Sequence, residues 1–288
     1  MFFNTKKNPS EVFIVKANGE KELFRPEKLE QSLTRSGANR EAVETVVDGV
    51  IRRLKDGMPT GEIYRMAFTL LNKEKKVKTA FRYSLRRAVS ELGPTGFTFE
   101  KFVAEIFKTQ GYEAVTNQIV RGYCVDHEVD VVAWNEKELI MVEAKFHNDL
   151  GMKSDLKVAL YVKARFEDLG KMTFDNYGGK GRKLTDGWLV TNTKFTQAAI
   201  EYGMCQNLKM VGWNFPPIAN LHNMIEMANA VPITILTTIS NMEKQNLIAR
   251  GIVLCRQIKD AEMLLHAGVN KSRIDKIMDE VKEAQNVV

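Results

Sequence analysis

Cysteine is scarce in this 288-residue sequence: Cys124, Cys205 and Cys255 stand far apart and form no CxxC spacing. This argues against a zinc ribbon or a disulfide framework, so we expect a protein of the reducing cytoplasm. Long apolar runs are also missing, and the first ten residues lack the apolar segment that a signal peptide needs. The length and the ordinary globular composition predict two or three domains.

Acidic residues are under-represented in the first third of the chain. Residues 1–96 hold 19 Lys and Arg against 12 Asp and Glu, and the other residues are nearly balanced within the overall net charge of +6. A basic excess confined to one segment predicts an anionic partner there, either nucleotide phosphates or a nucleic-acid backbone.

Two apolar runs, at residues 127–134 and 139–145, are separated by a short polar turn. This pattern predicts a β-hairpin. Side chains alternate between the two faces of a strand, so Glu128 and Asp130 share one face, and Glu143 and Lys145 share a face of the second strand. Charges in mid-strand oppose burial, which indicates a purpose other than folding.

Paired carboxylates beside a lysine are the groups that metal-assisted phosphodiester hydrolysis needs. Two neighbouring carboxylates make a hard-oxygen site suited to Mg²⁺. A lysine on the same strand can orient or deprotonate the attacking water, or stabilise the charge that develops on phosphorus. We therefore predict Asp130 and Glu143 as metal ligands and Lys145 as a catalytic residue.

Asp130, followed thirteen positions later by Glu143-Ala144-Lys145, resembles the D…ExK core of PD-(D/E)xK nucleases, although Val129 stands where proline is usual. The helix predicted around residues 99–107, the strand at 112–120 and the run at 187–199 are similar to those of Mrr-like restriction endonucleases. The resemblance covers residues 96–215. It implies an α/β domain with a mixed sheet, DNA as substrate, Mg²⁺ or Mn²⁺ as cofactor, a 5′-phosphate product, and Glu105 as a further catalytic and metal-binding acid.

The N-terminal third predicts a short hairpin at residues 11–24, with Asn18-Gly19 at its turn, followed by helices at 26–35, 40–55, 60–72 and 78–92. Together with the run Pro59-Thr60-Gly61-Glu62-Ile63-Tyr64, this resembles the ATP-cone, a nucleotide-sensing domain of ribonucleotide reductases. The resemblance implies ATP or dATP as an effector, with Lys16 and Lys28 on the phosphates and Ile14, Glu22, Thr60 and Tyr64 around the base and ribose. Ala17 departs from the Lys-Arg pair usual after the first strand.

Two joints predict the domain boundaries: residues 93–96, which contain two glycines and a proline, and Pro216-Pro217. The predicted fold class is a multidomain α+β and α/β chain: an ATP-cone at 1–93, a nuclease at 96–215 and a small helical domain at 218–288. The first joint would allow the nucleotide state to reorient the nuclease. The helical domain loosely resembles a helix-hairpin-helix bundle, and its balanced charge equally allows an interaction or dimerisation module.

Several residues around the predicted hairpin are secondary candidates. Lys157 and Tyr161 lie one turn apart on the following helix, and His127 and His147 flank the strands. The cationic glycine-rich run at residues 178–183 predicts a mobile loop that could contact DNA phosphates.

These patterns predict a nucleotide-regulated, Mg²⁺-dependent DNA endonuclease, serving restriction of foreign DNA or else DNA repair or recombination. One alternative is a nucleotide-responsive DNA-binding regulator whose nuclease fold only grips DNA. Another is a scaffold that forms homo-oligomers through the ATP-cone or the C-terminal helices.

Overall fold

The computed structural model describes residues 11–16, 19–73 and 77–286, and the chain packs as two compact units. The first unit ends at Leu85, and the second runs from Arg86 to Asn286. Asn18 and Ala17, at the predicted turn, lie outside the described residues. No helix in the described ranges combines the length and the apolar character needed to cross a membrane.

The first unit pairs a small sheet with helices. Its elements are β1 Phe13–Val15, β2 Lys21–Leu23, α1 Pro26–Arg35, α2 Arg40–Ile51, β3 Met58–Pro59, α3 Thr60–Lys73 and α4 Val77–Ser90, of which the residues after Leu85 belong to the second unit. Strand β1 is central, antiparallel to β2 and parallel to β3. Pro26 begins α1 and the Asn39 side chain caps α2, as their sequences favour. The predicted hairpin and helices of this segment are confirmed.

The second unit contains the predicted mixed sheet. Its strands are β4 Glu113–Arg121, β5 Asp126–Trp134, β6 Leu139–Lys145, β7 Lys153–Ser154, β8 Asp186–Thr191, β9 Lys194–Phe195 and β10 Lys209–Val211. In the described part of the unit, the main sheet has the order β10-β8-β6-β5-β4. Strands β4, β5 and β6 are antiparallel, and β6, β8 and β10 are parallel. The predicted catalytic hairpin, β5 and β6, therefore lies at the centre of the sheet.

Helices pack on this sheet with the apolar spacing that the sequence shows. They are α5 Gly96–Thr109, α6 Leu156–Leu169 and α7 Gln197–Cys205. Helix α5 buries Phe99, Phe102, Val103, Ile106 and Phe107, the stripe that the period of 3.6 predicts. A separate cluster joins α6 and α7 to β6 and β8 through buried residues that include Val162, Met141 and Leu189.

The C-terminal helices belong to the second unit. They are α8 Leu221–Met227, α9 Asn241–Ala249, α10 Ala261–His266 and α11 Ile274–Gln285, with 3-10 turns at Ile233–Ile235, Cys255–Gln257 and Lys271–Arg273. The buried Thr234 hydroxyl donates to the Ala88 carbonyl at 2.6 Å, and Arg256 donates to the Glu105 carbonyl at 3.3 Å. These contacts pack the C-terminal segment against the end of α4 and against α5, within the second unit.

The predicted joint at residues 93–96 also lies inside this unit. A Cβ added to Gly93 would come within 2.6 Å of Asn148 and 2.8 Å of Phe146. The Asn148 amide donates to the Pro94 carbonyl at 3.3 Å, and Phe146 lies 5.5 Å from the Phe99 ring. The structure therefore shows a packed segment here instead of the free joint that the sequence predicts.

Candidate active site

The two predicted metal-binding acids meet where β5 and β6 stop pairing. The ladder ends at Val131 and Val142, so Asp130 and Glu143 are the next facing positions. There the Asp130 carboxylate accepts a hydrogen bond from the Ala144 amide at 2.7 Å, as a strand carbonyl would. Facing residues of antiparallel strands project to the same side of the sheet, so the two carboxylates are presented together.

The pKa of Asp130 reflects both its burial and the nearby carboxylate of Glu143. Burial raises the pKa of Asp130 to about 7, and the neighbouring charge of Glu143 contributes to the rise. The Ala144 amide and the charge of Arg165 lower this pKa but do not reverse the shift. Two carboxylates held so close favour a proton or a cation between them.

Helix α6 provides the partners of Glu143. The Tyr161 hydroxyl donates to Oε1 of Glu143, and the Arg165 guanidinium donates to Oε2. Tyr161 is thus a contact of the site, whereas Lys157 is exposed and makes no such contact. Arg165 was missed from the sequence, although its spacing of four from Tyr161 places it on the same helix face.

Glu100 of α5 is a further acid whose charge acts on the pair. Burial raises the pKa of Glu100, with further contributions from the charges of Glu128 and Glu143. The Glu105 carboxylate instead lies 2.8 Å from Lys108 and 3.8 Å from Arg256. Five residues advance a helix by about 140°, so Glu100 and Glu105 cannot face the same site.

Lys145 ends β6 on the face that Glu143 also occupies. It lies opposite Thr191 of β8 in the parallel ladder and is half-buried. Within the described ranges, its ammonium group forms no hydrogen bond or ion pair with another residue. A cation that no side chain neutralises is available to a water molecule or a phosphate beside the acids.

The donor set fits a hard divalent cation that keeps much of its water. Asp130 and Glu143 supply two carboxylates, and Mg²⁺ is commonly held by one or two carboxylates plus waters and phosphate oxygens. Among the described residues, no group of three or more His, Cys, Asp or Glu side chains is arranged to hold a metal ion. The site therefore fits Mg²⁺ or Mn²⁺ better than Zn²⁺, which prefers a set of three or four protein ligands.

The two histidines beside the hairpin bond to other groups. His127 Nε2 lies 2.8 Å from an Asp168 oxygen, and the hydrogen bond from His127 is the main cause that lowers the pKa of Asp168. His147 Nε2 lies 2.9 Å from the Ser154 hydroxyl, and burial lowers the pKa of His147. The buried side chain of Asn192 bonds the backbone of His147 in both directions at 2.8 Å. These contacts hold the ends of the strands in place.

The glycine-rich run at residues 178–183 is folded against the hairpin turn, in contrast to the predicted mobile loop. Arg182 pairs with Phe174 as a β-bridge and donates to the Asn135 carbonyl at 2.8 Å. Arg182 thus holds the run against the hairpin turn, whereas the side chains of Lys180 and Lys183 are exposed.

In the first unit, Glu22 joins the two predicted phosphate-binding lysines. It lies 3.0 Å from Lys28 and 3.4 Å from Lys16. Burial alone would raise the pKa of Glu22, but the bonds and charges of Lys28 and Lys16 lower it. Thr60 begins α3 directly after Pro59, which pairs with Val15, so a helix N-terminus begins close to Lys16.

The other two predicted nucleotide contacts lie in the core of the first unit. Ile14 is buried in the hydrophobic cluster, and Tyr64 packs on that cluster with its ring 4.8 Å from the ring of Tyr83. The structure therefore groups Lys16, Glu22 and Lys28, with Thr60 at the start of α3. Ile14 faces Glu22 across the β1–β2 ladder, and Tyr64 lies in the core cluster.

Family models match three successive segments of the chain. The ATP cone domain matches residues 12–91, the Mrr catalytic model, described as Restriction endonuclease, matches 93–221, and a model described as AF1548-like, C-terminal matches 232–284. The first two confirm the resemblances to an ATP-cone and an Mrr-like nuclease domain. The third coincides with the C-terminal helices.

Known relatives agree with this assignment. An uncharacterized protein of Archaeoglobus fulgidus is 35% identical over 183 residues, which are 63% of this chain and 98% of that protein. The crystal structure of the protein of unknown function AF1548 is 33% identical, with a TM-score of 0.55, over 67% of this chain and 100% of that one. The MspJI restriction endonuclease bound to a 27-mer oligonucleotide is 14% identical over 70% of this chain and 39% of its own, and its TM-score of 0.33 is too low to carry weight.

The Archaeoglobus fulgidus relative, which this chain covers to 98%, shows the family of the chain. The three family models show the order of its domains. This chain belongs to the AF1548-like family and joins an ATP cone domain to an Mrr-type restriction endonuclease domain and a helical C-terminal segment.

Proposed function

We propose that this protein is a metal-dependent DNA endonuclease regulated by ATP or dATP. The observation that carries the proposal is the meeting of Asp130 and Glu143 at the end of the β5–β6 ladder, with Lys145 on the same strand as Glu143. Foreign-DNA restriction is the expected purpose, and DNA repair or recombination comes second.

Each residue has a role that its position supports. Asp130 and Glu143 would hold Mg²⁺ or Mn²⁺, with the charge of Glu100 nearby. When bound, such an ion polarises a phosphate and makes a water molecule more acidic. The Lys145 ammonium would orient the attacking water or neutralise the charge that grows on the phosphate oxygens. In-line attack would leave a 5′-phosphate and a 3′-hydroxyl.

The nucleotide would bind in the first unit at Lys16 and Lys28. Both lysines are already drawn together by Glu22, so nucleotide phosphates would exchange with that carboxylate. Lysine suits phosphate as a compact charge with three donors. Thr60 at the start of α3 adds a helix N-terminus, which favours anions.

A second candidate is a nucleotide-responsive DNA-binding regulator without catalysis. The observation in its favour is that both oxygens of Glu143 are engaged by Tyr161 and Arg165. In this case metal would not bind at the acids, and DNA binding would not depend on Lys145.

Plasmid cleavage distinguishes these candidates. Purified protein is incubated with supercoiled plasmid and Mg²⁺ or Mn²⁺, with and without ATP or dATP, beside the variants Lys145→Ala and Asp130→Asn. Glu105→Gln is the matched control, because Glu105 pairs away from the site. Cutting that Lys145→Ala and Asp130→Asn abolish and Glu105→Gln preserves supports the nuclease. No cutting of methylated or unmethylated DNA, together with nucleotide-dependent DNA binding, supports the regulator.

Two further expectations belong to this proposal. All three cysteines are free thiols, which supports location in a reducing cytoplasm. Homo-oligomers formed through the ATP-cone or the C-terminal helices remain a prediction, which light scattering with and without nucleotide tests.

A further inference from the structure

Arg165 is the cation that lies closest to the paired acids. Its guanidinium bonds the Glu143 carboxylate and also donates to the Glu128 carbonyl at 3.0 Å, so one side chain links β5 and β6. The ion pair is largely withdrawn from solvent, since the Arg165 side chain is 22% exposed and that of Glu143 is 11% exposed. Arg165 also lies 5.4 Å from the Tyr161 ring centroid.

The two partners of Glu143 differ in how they would tolerate a metal ion. A carboxylate has several lone-pair sites, so the neutral Tyr161 hydroxyl can keep its bond while the same carboxylate binds a cation. The Arg165 guanidinium is always charged, and its repulsion of a divalent ion at the same carboxylate would be strong in a poorly hydrated place. Arg165 and a metal ion therefore compete for the charge of Glu143.

A cleft beside Arg165 could receive its side chain if a metal ion displaced it from Glu143. This cleft of about 520 Å³ is lined by Arg165 together with Tyr161, His127, Asp168 and Lys171. The Asp168 carboxylate already accepts bonds from the Cys124 amide and from His127, so it is occupied. The planar fork of a guanidinium suits a phosphate group, and Lys171 brings a second cation to the same cleft.

We propose that Arg165 is a built-in counter-ion: it takes the place of the metal at Glu143 in the metal-free protein and passes to a phosphate of the bound DNA strand when a divalent cation enters. The inference rests on the proposed nuclease function. Arg165 would thus have two positions: paired with Glu143 in the metal-free site, and paired with a DNA phosphate in the metal-bound site.

Metal affinity gives the decisive test, because it needs no catalysis. Mn²⁺ binding by the full chain is measured by calorimetry for wild type, Arg165→Gln and Asp130→Asn. A residue that only supports the metal site costs roughly 10- to 100-fold in affinity when it is lost. A competitor has the opposite sign, so we expect Arg165→Gln to bind Mn²⁺ tighter by about fivefold or more.

Two further variants serve as controls for this measurement. Arg165→Lys keeps a charge but loses the fork, so its affinity should fall between those of wild type and Arg165→Gln, and it also replaces Arg165→Gln if that variant does not fold. Arg121→Gln is the matched control, because Arg121 of β4 pairs with the exposed Asp126 of β5 at 3.1 Å, away from the β5–β6 pairing. Its Mn²⁺ affinity should equal that of wild type.

The second half of the proposal is tested by DNA binding in a Lys145→Ala background. Adding Arg165→Gln should weaken binding of a duplex oligonucleotide when Mn²⁺ is present and leave binding unchanged without metal. Equal or weaker Mn²⁺ affinity of Arg165→Gln overturns the inference and leaves the nuclease proposal standing. Equal Mn²⁺ affinity of wild type and Asp130→Asn overturns both, because no metal then binds at the acids.

Discussion

The Asp130 carboxylate accepts the Ala144 backbone amide at 2.7 Å, one position beyond the last paired residues of β5 and β6. A side chain thus replaces a main-chain carbonyl and ends the ladder where the acids are needed. The same bond fixes the distance between the strand that carries Asp130 and the strand that carries Glu143.

The first prediction concerns pH and stability without metal. Folding raises the pKa of Asp130 from its ordinary value of 3.8 to about 7. Between pH 3.8 and about pH 7, the folded protein therefore holds this proton more tightly than the unfolded chain does. Stability should therefore fall as pH rises through this window. Between about pH 5 and about pH 8 in a chelator, wild type should lose roughly 2 to 3 kcal/mol more than Asp130→Asn.

Urea denaturation of both proteins measures this difference. Asparagine keeps an acceptor for the Ala144 amide, so the comparison isolates the charge. Saturating Mn²⁺ should remove the pH dependence from wild type, and parallel curves in the absence of metal would contradict the prediction.

The second prediction separates two glutamates of α5. Glu100→Gln removes a charge that acts on Asp130, so Mn²⁺ affinity should fall by roughly tenfold. Glu105→Gln should leave Mn²⁺ affinity unchanged and lower the free energy of unfolding by about 1 kcal/mol, through its pairs with Lys108 and Arg256. Calorimetry and urea denaturation give the two readouts. A loss of metal affinity in Glu105→Gln alone would restore the assignment made from the sequence.

The third prediction concerns the nucleotide. Lys16→Ala and Lys28→Ala should each weaken ATP and dATP binding by about tenfold, as expected for one charge-assisted hydrogen bond. Lys21→Ala is the control, since Lys21 is exposed on the neighbouring strand. Calorimetric titration of the full chain measures all three, and an equal loss in Lys21→Ala would indicate only a general effect of charge.

The fourth prediction concerns the C-terminal helices. Thr234→Val removes the buried hydroxyl that donates to the Ala88 carbonyl, which should cost about 1 kcal/mol, the net contribution of one hydrogen bond, because that carbonyl still accepts the Glu91 amide at 3.2 Å. Thr109→Val is the matched control, since the Thr109 hydroxyl bonds within its own helix at 2.6 Å. In urea denaturation, the C-terminal helices should unfold in the same transition as the rest of the second unit. The midpoint of this transition should be lower for Thr234→Val than for wild type and unchanged for Thr109→Val. A separate early transition of the helical segment would mean that it folds alone.

Local patterns in the sequence were enough for much of this architecture. Two apolar runs joined by a short polar turn predicted β5 and β6, and the spacing of Phe99, Phe102 and Phe107 predicted the buried face of α5. Both follow from the fixed geometry of strands and helices, which depends on neighbours in sequence. The position of Asp130 opposite Glu143, by contrast, is seen only in the register of the β5–β6 ladder.

The sequence was less informative wherever residues far apart in the chain meet. The domain prediction separated residues 218–288, because nothing local reveals that Thr234 bonds Ala88 or that Arg256 reaches Glu105. The same limit explains why Arg165 was missed: its role depends on the contact of α6 with a strand 22 residues earlier in the chain.

By itself, then, the amino-acid order determined the element types, the hairpin that carries Asp130, Glu143 and Lys145, and the resemblance of the first two domains to an ATP-cone and an Mrr-like nuclease domain. Only the tertiary structure decided which glutamate of α5 faces the acids and which cation of α6 pairs with Glu143. A helix can turn any of its faces toward a sheet, and packing across the whole unit selects that rotation.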